Sequence, residues 1–178
     1  MDETLKLTET LVKSPNSKNI PQLIELAEKK SSVDITKQIN LLKGVWELKW
    51  SSSSSPLLNY SPLLDNLQIL DPEKCIGLNL LRPKGFIGKL FSTNIFAILK
   101  VIDKRRLDVS FKKVGIVGPK LLGKNISFLS QIKKTQKGWL DTTVLTDNLR
   151  ICKGYKGTTF ALLKRTDLSI KDFLESYL

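Results

Sequence analysis

GVWELKW, residues 44–50, alternates. Trp46, Leu48 and Trp50 fall on one side of an extended chain and Val45, Glu47 and Lys49 on the other. That period of two predicts a strand with one apolar face. Upstream the period is different. Leu5, Leu7, Leu11 and Val12 share one face of a short helix that cannot pass Pro15. Asn19-Ile20-Pro21 opens a second helix, since proline is tolerated in a first turn. Ile35, Ile39 and Leu42 are spaced four and three apart and predict a third.

Downstream, strands are expected around Leu67–Leu70, Cys75–Leu81, Asn94–Ile102 and Arg106–Lys112, and three more between Trp139 and Leu163. Asp103-Lys104-Arg105 and Gly154-Tyr155-Lys156-Gly157 read as hairpin turns. Short strands joined by turns, with few helices between them, predict an antiparallel meander that removes its edges by closing into a barrel. DLSIKDFLESYL forms an amphipathic tail helix, with Ile170, Phe173, Leu174, Tyr177 and Leu178 on one stripe and Ser169 as its cap. The expected organisation is a helical segment at 1–43, a barrel at 44–165 and a terminal helix at 166–178.

Composition narrows the chemistry. The chain of 178 residues contains no histidine, which removes Ser-His-Asp and Cys-His catalysis, HExxH zinc sites and His-ligated haem. No metal site, cofactor or catalytic group is expected. Cys75 and Cys152 form no CxxC pair and are expected to stay reduced. Gly118-Pro119-Lys120-Leu121-Leu122-Gly123-Lys124-Asn125 nearly matches a phosphate-binding loop. Asn125 stands where the Mg²⁺-binding hydroxyl belongs, so a basic, Gly-rich connection is the better reading. No apolar run approaches the roughly 20 residues of a bilayer-spanning helix. The opening MDETLKLTET has no signal core, and its acids argue against a transit peptide. A cytoplasmic protein, or a mature chain without its leader, is the expectation.

Charge is concentrated. Of 29 Lys and Arg against 17 Asp and Glu, the segment from Arg82 to Lys137 holds 14 bases and two acids, so the net +12 lies there. Such a segment either attracts a polyanion, whether nucleic acid or an anionic membrane surface at about 1 kcal/mol per well-placed base, or is a solvated face that keeps the protein soluble. RPKGFIGKLF mixes the bases with Phe86, Ile87, Leu90 and Phe91. SSSSSPLLNYSPLLD adds four leucines and Tyr60. Both read either as lids over the barrel or as a mouth that dips into a headgroup layer. The expected membrane face carries Lys84, Phe86, Ile87, Lys89, Leu90, Phe91, Lys104, Arg105 and Arg106, with Lys112 and Lys113. A nucleic-acid module would need clustered exposed aromatics at recognisable spacing, which the segment lacks.

Two motifs resemble a known family. Gly44-Val45-Trp46 after a short helix resembles the start of lipocalin-like (calycin) barrels. In those, an Arg from a late strand lies across the Trp ring. LLKGVWELKW, together with Trp139-Leu140-Asp141-Thr142-Thr143, Leu145, Leu149-Arg150-Ile151, Gly154, Gly157 and Phe160, resembles the plastid lipid-associated protein (PAP)/fibrillin family over residues 20–165. Val144, Thr146 and Lys153 depart from its usual Tyr, Asp and Arg. The resemblance implies a lipid-binding barrel peripheral to a thylakoid-type membrane, of cyanobacterial type or as a mature plastid protein.

The expected ligand is a lipid, isoprenoid quinone or carotenoid. The expected lining is Trp46, Leu48, Trp50, Phe96, Ile98, Val109, Phe111 and Phe160, with Arg150 over Trp46 closing one end. The alternative is an isoprenoid- or tetrapyrrole-handling enzyme or chromophore lyase, with Cys152 or Asp141 as candidate groups. The residues set no oligomeric state.

Overall fold

A computed structural model describes residues 2–121 and 124–174, without the side chains of 89, 120, 121, 124, 125 and 134–136. Three helices come first: α1 (Glu3–Lys13), α2 (Ile20–Lys30) and the single turn α3 (Ile39–Leu42). Eight strands follow: β1 (Gly44–Ser51), β2 (Leu64–Asp71), β3 (Ile76–Pro83), β4 (Ser92–Val101), β5 (Arg106–Leu121), β6 (Lys124–Leu145), β7 (Leu149–Gly154) and β8 (Thr159–Lys164). A one-turn helix, α4 (Phe86–Leu90), links β3 to β4, and α5 (Lys171–Leu174) ends the described chain. Each strand pairs antiparallel with its successor, and β8 pairs with β1, so the sheet closes into a barrel.

The meander order follows from tight turns. Asp103 accepts from the Arg105 and Arg106 amides at 2.8 and 2.9 Å, which shapes the β4–β5 connection. Gly157, at φ +79°, completes the β7–β8 turn. One expectation fails here. The stretch 118–125, expected as a basic, Gly-rich connection, is strand as far as it is described, because it belongs to the long β5–β6 hairpin. The near phosphate-loop sequence occupies that hairpin's tip, and its Leu122 and Gly123 lie outside the described residues.

Three apolar clusters organise the molecule. Inside the barrel, Trp46, Leu48, Leu70, Ala97, Leu99, Leu107, Val109, Leu145, Cys152 and Leu162 pack together with Val33, Ile35 and Leu42 from the preceding segment. On one outer wall, Leu7, Leu11, Ile20, Leu23, Ile24 and Ala27 of α1 and α2 cover Val144, Leu149, Ile151, Ala161 and Leu163. Leu5 and Val12, expected on the same helix face, are exposed instead. On another wall, Phe173 and Leu174 of α5 pack on Val45, Leu67, Ile69, Leu78 and Leu80. Ser169 and Asp172 cap α5 reciprocally, at 3.3 Å to the Lys171 amide and 3.0 Å from the Ser169 amide. Tyr177 and Leu178 lie outside the described residues.

Bulges reset the faces. Leu48 pairs with Leu162 but Trp50 with Ala161, so Lys49 is an extra residue. That flips Trp50 to the outer wall, where it packs with the α1–α2 cluster. On β6 the same happens at Thr143, between the Thr142↔Cys152 and Val144↔Ile151 pairs. The faces of 139–145 that look mixed in sequence are therefore ordered. Leu140, Thr142 and Leu145 turn inward; Asp141 and Val144 turn outward.

Candidate functional site

The barrel has two different ends. One carries the start of β1 and the end of β8, and it is closed. Trp46 is fully buried there, and its indole Nε1 donates to the Leu42 carbonyl at 2.9 Å. The Lys164 Nζ donates to the Leu41 carbonyl at 2.9 Å and stands 4.9 Å from the Trp46 ring centroid. Two carbonyls at the end of α3, which a helix leaves unpaired, are thus satisfied by β-strand side chains. Burial pulls the Lys164 ammonium below the usual lysine range. Gly44 makes the approach possible. Its φ is +149°, and a Cβ there would lie 2.5 Å from the Lys164 side chain.

The cation over Trp46 is therefore Lys164, not Arg150. Arg150 faces the same interior from β7 and is fully buried, but it reaches across to β2 and donates from Nη1 to Gln68 Oε1 at 3.0 Å. The lipocalin-like resemblance implied an Arg on the ring, and Lys164, at the end of the last strand, carries no motif of its own.

The other end is the mouth, where β3 meets β4 through α4 and β7 meets β8. Trp46, Leu48, Val109, Phe111 and Phe160 are brought together in the interior cluster. Phe111 and Phe160, with Leu140, are only half-buried and pack against the interior cluster at this end. Trp50, Phe96 and Ile98 are corrected out of the lining. Trp50 is displaced by the bulge at Lys49. Phe96 joins the cluster under α5, and Ile98 is exposed on the outer wall. β4 reads Ile95-Phe96-Ala97-Ile98-Leu99, apolar on both faces, so alternation there carries no sign. The inward residues include Ala97 and Leu99.

The rim of the mouth is greasy. Phe86 is 76% exposed and Leu63 75%, with Leu57, Leu58, Ile87, Phe91 and Tyr155 also exposed. Both Leu- and Phe-rich loops present exposed apolar side chains at this end. Ile95 shares the inward face of Ala97 and pairs with Val114, so Val114 and Ile116 continue that face past the rim. Phe128, paired with Ile116, and Ile126 extend it on β6, and all four are exposed. A Cβ on Gly118 would lie 3.8 Å from the Phe91 ring, so this apolar arm stands beside α4.

The expected membrane face does not hold together. Lys84 and Phe86 to Phe91 lie at the mouth. Lys104 and Arg105 lie in the β4–β5 turn and Arg106 opens β5, at the closed end. The ten residues of β4 separate them, roughly 30 Å at about 3.3 Å per residue. Arg106 is also engaged. It grips Asp141 through Nε and Nη2 at 2.8 and 2.7 Å and stacks 4.2 Å from the Trp139 ring centroid. Lys84 approaches Glu47 at 3.4 Å and the Tyr60 ring at 5.8 Å. Leu90 is half-buried, and the Lys89 side chain lies outside the described residues.

Neither group proposed for catalysis is poised for it. Asp141 is neutralised by Arg106 on the outer wall. Burial pushes the Cys152 thiol up, only partly offset by the Arg150 charge, so it stays protonated at neutral pH. Among the described residues no cluster of acids and cysteines has metal-site geometry.

The family model PAP_fibrillin matches residues 8–163. The chain is 26% identical, over 93% of its length, to a probable plastid-lipid-associated protein 12, chloroplastic, of Arabidopsis thaliana, of which it spans 45%. No solved structure matches. No described helix is long and apolar enough to cross a membrane. With the family model covering all eight strands but the last residue of β8, the chain belongs to the PAP/fibrillin family.

Proposed function

We propose that this protein binds or shields an apolar ligand (a lipid, an isoprenoid quinone or a carotenoid) inside a lipocalin-like barrel, and loads it at a thylakoid-type membrane. The observation that carries the reading is the mouth. Half-buried Phe111, Leu140 and Phe160 face inward, and the exposed rim runs from Leu63 through Phe86 to Phe91. Ligand pockets combine an apolar wall with a few polar handles, and Arg150, Gln68, Thr142 and Cys152 supply them here. The lipid-associated character of the family supports the ligand class.

Membrane contact is assigned to the mouth rather than to the closed end. Burial of Phe86 and Phe91 in the headgroup layer would hold the rim there. Between Val109 and Leu140 the β5–β6 hairpin carries only basic charges, which draw it to anionic lipid. Two measurements test the reading. Organic extraction of the purified protein followed by mass spectrometry should yield a lipid or pigment. Flotation with anionic liposomes should retain the protein at low salt. It should weaken at 1 M salt, where the Debye length is about 3 Å, and weaken further in Phe86→Ser plus Phe91→Ser. Equal flotation with neutral lipid, or salt-sensitive RNA binding with no flotation, would reject it.

A further inference from the structure

The interior of the barrel holds a charge that no described residue balances. Arg150 is fully buried, and its Nε and Nη2 have no hydrogen-bond partner among the described residues. Among the described residues its acceptor is the neutral amide oxygen of Gln68. A guanidinium cannot shed its proton to escape burial, so an anion is the only chemistry that neutralises it.

The unpaired atoms say which anion. Nε and Nη2 form the side-on fork of the guanidinium. Elsewhere in this molecule that same pair holds a carboxylate. Arg106 uses it on Asp141 at 2.8 and 2.7 Å, and Arg165 uses it on Asp167 at 2.7 Å for both contacts. Those forks sit on the outside, where the chain supplies an acid. The fork of Arg150 sits inside the apolar cluster. Thr142, on the inner face of the neighbouring strand, is also fully buried with its hydroxyl unpartnered. Thr142 pairs with Cys152, two residues further from the closed end than Arg150. It therefore lies between the fork and the mouth.

Resting on the apolar-ligand reading above, we infer that the ligand is an anionic amphiphile. Its single carboxylate is gripped by the Arg150 fork beneath the closed end, and its hydrocarbon chain runs past Thr142 toward Phe111, Leu140 and Phe160 at the mouth. Arg150 is then a binding residue that selects long-chain carboxylic acids over neutral lipids of the same length. Charge-assisted bidentate bonds of this kind discriminate by about 10- to 100-fold.

The test is fluorescence titration of the full chain with cis-parinaric acid and with its methyl ester at pH 8. The acid should bind wild type at least about tenfold more tightly than the ester. Arg150→Gln should abolish that ratio, and Arg150→Lys should restore part of it. The wild-type ratio needs no variant, so misfolding of Arg150→Gln does not blunt the test. Equal binding of acid and ester by wild type overturns the carboxylate assignment and leaves the apolar-ligand reading standing. Binding of neither overturns both. In displacement, oleate should outcompete oleyl alcohol. Hexadecyl phosphate displacing the probe about tenfold better than oleate would overturn the carboxylate in favour of a phosphate head.

Discussion

Lys164 does two things at one residue: it lies over the Trp46 ring and it donates to the Leu41 carbonyl. Replacing it with Met keeps the stem and removes both. The expected loss is about 1–2 kcal/mol, or a few degrees in Tm by calorimetry. Gly44→Ala should be at least as damaging, because its Cβ meets the same stem in a strained backbone. An unchanged Tm in both variants would dissociate the clamp from stability. The two cysteines offer a second reading at this scale. Cys75 is exposed in a turn, at φ +59°, and Cys152 is buried with a raised pKa. Native protein should titrate one thiol with a disulfide reagent and unfolded protein two, and Cys75→Ser should leave none in the native state. Rapid native labelling of Cys152 would mean that the interior breathes.

At the scale of elements, the helices are held by what they cover. Leu11 is fully buried between α1 and the wall. Leu11→Ala should cost about 2–5 kcal/mol in denaturant unfolding, and a cost below about 0.5 kcal/mol would mean that α1 is not docked. Glu47 ties β1 to its surroundings through Lys49 at 3.0 Å, Arg165 at 3.3 Å and Lys84 at 3.4 Å. Burial raises its carboxyl pKa, but the Lys49 hydrogen bond and the three cations outweigh that and leave it below the ordinary 4.5. A depressed acid stabilises the fold above its unfolded pKa, and that contribution is lost as pH falls through the folded value. Glu47→Gln should therefore lower stability at pH 7 and flatten its decline below about pH 4.5. Parallel acid limbs in mutant and wild type would remove Glu47 from the account.

The same elements show what a sequence carries. GVWELKW was legible because Glu47 and the indole of Trp46 differ so much in polarity. Trp50 was not, because nothing in Glu-Leu-Lys-Trp marks Lys49 as a bulge. Phe96 and Ile98 were misread because β4 is apolar on both faces. Arg150 was legible as an interior arginine of a late strand, but its partner was not. Gln68 lies 82 positions away, and only closure of the ring brings them together.

For the whole molecule, that closure sets the order of events in folding. Every pairing but one joins strands that are neighbours in the chain, and the exception is β1 with β8. Glu47 and Arg165, an ion pair beside this seam, are 118 positions apart. The entropy of bringing such distant segments together must be met before Trp46 finds its cover. Refolding is therefore expected on the millisecond-to-second scale of non-local β topologies, followed by Trp emission in stopped flow. During synthesis β1 must wait, half-paired, until the last strand has left the ribosome. Its wet edge is a liability to aggregation throughout that interval. A chain ending at Gly154 should keep Trp46 red-shifted and self-associate, and native blue-shifted emission from that truncation would show that the seam does not commit the fold.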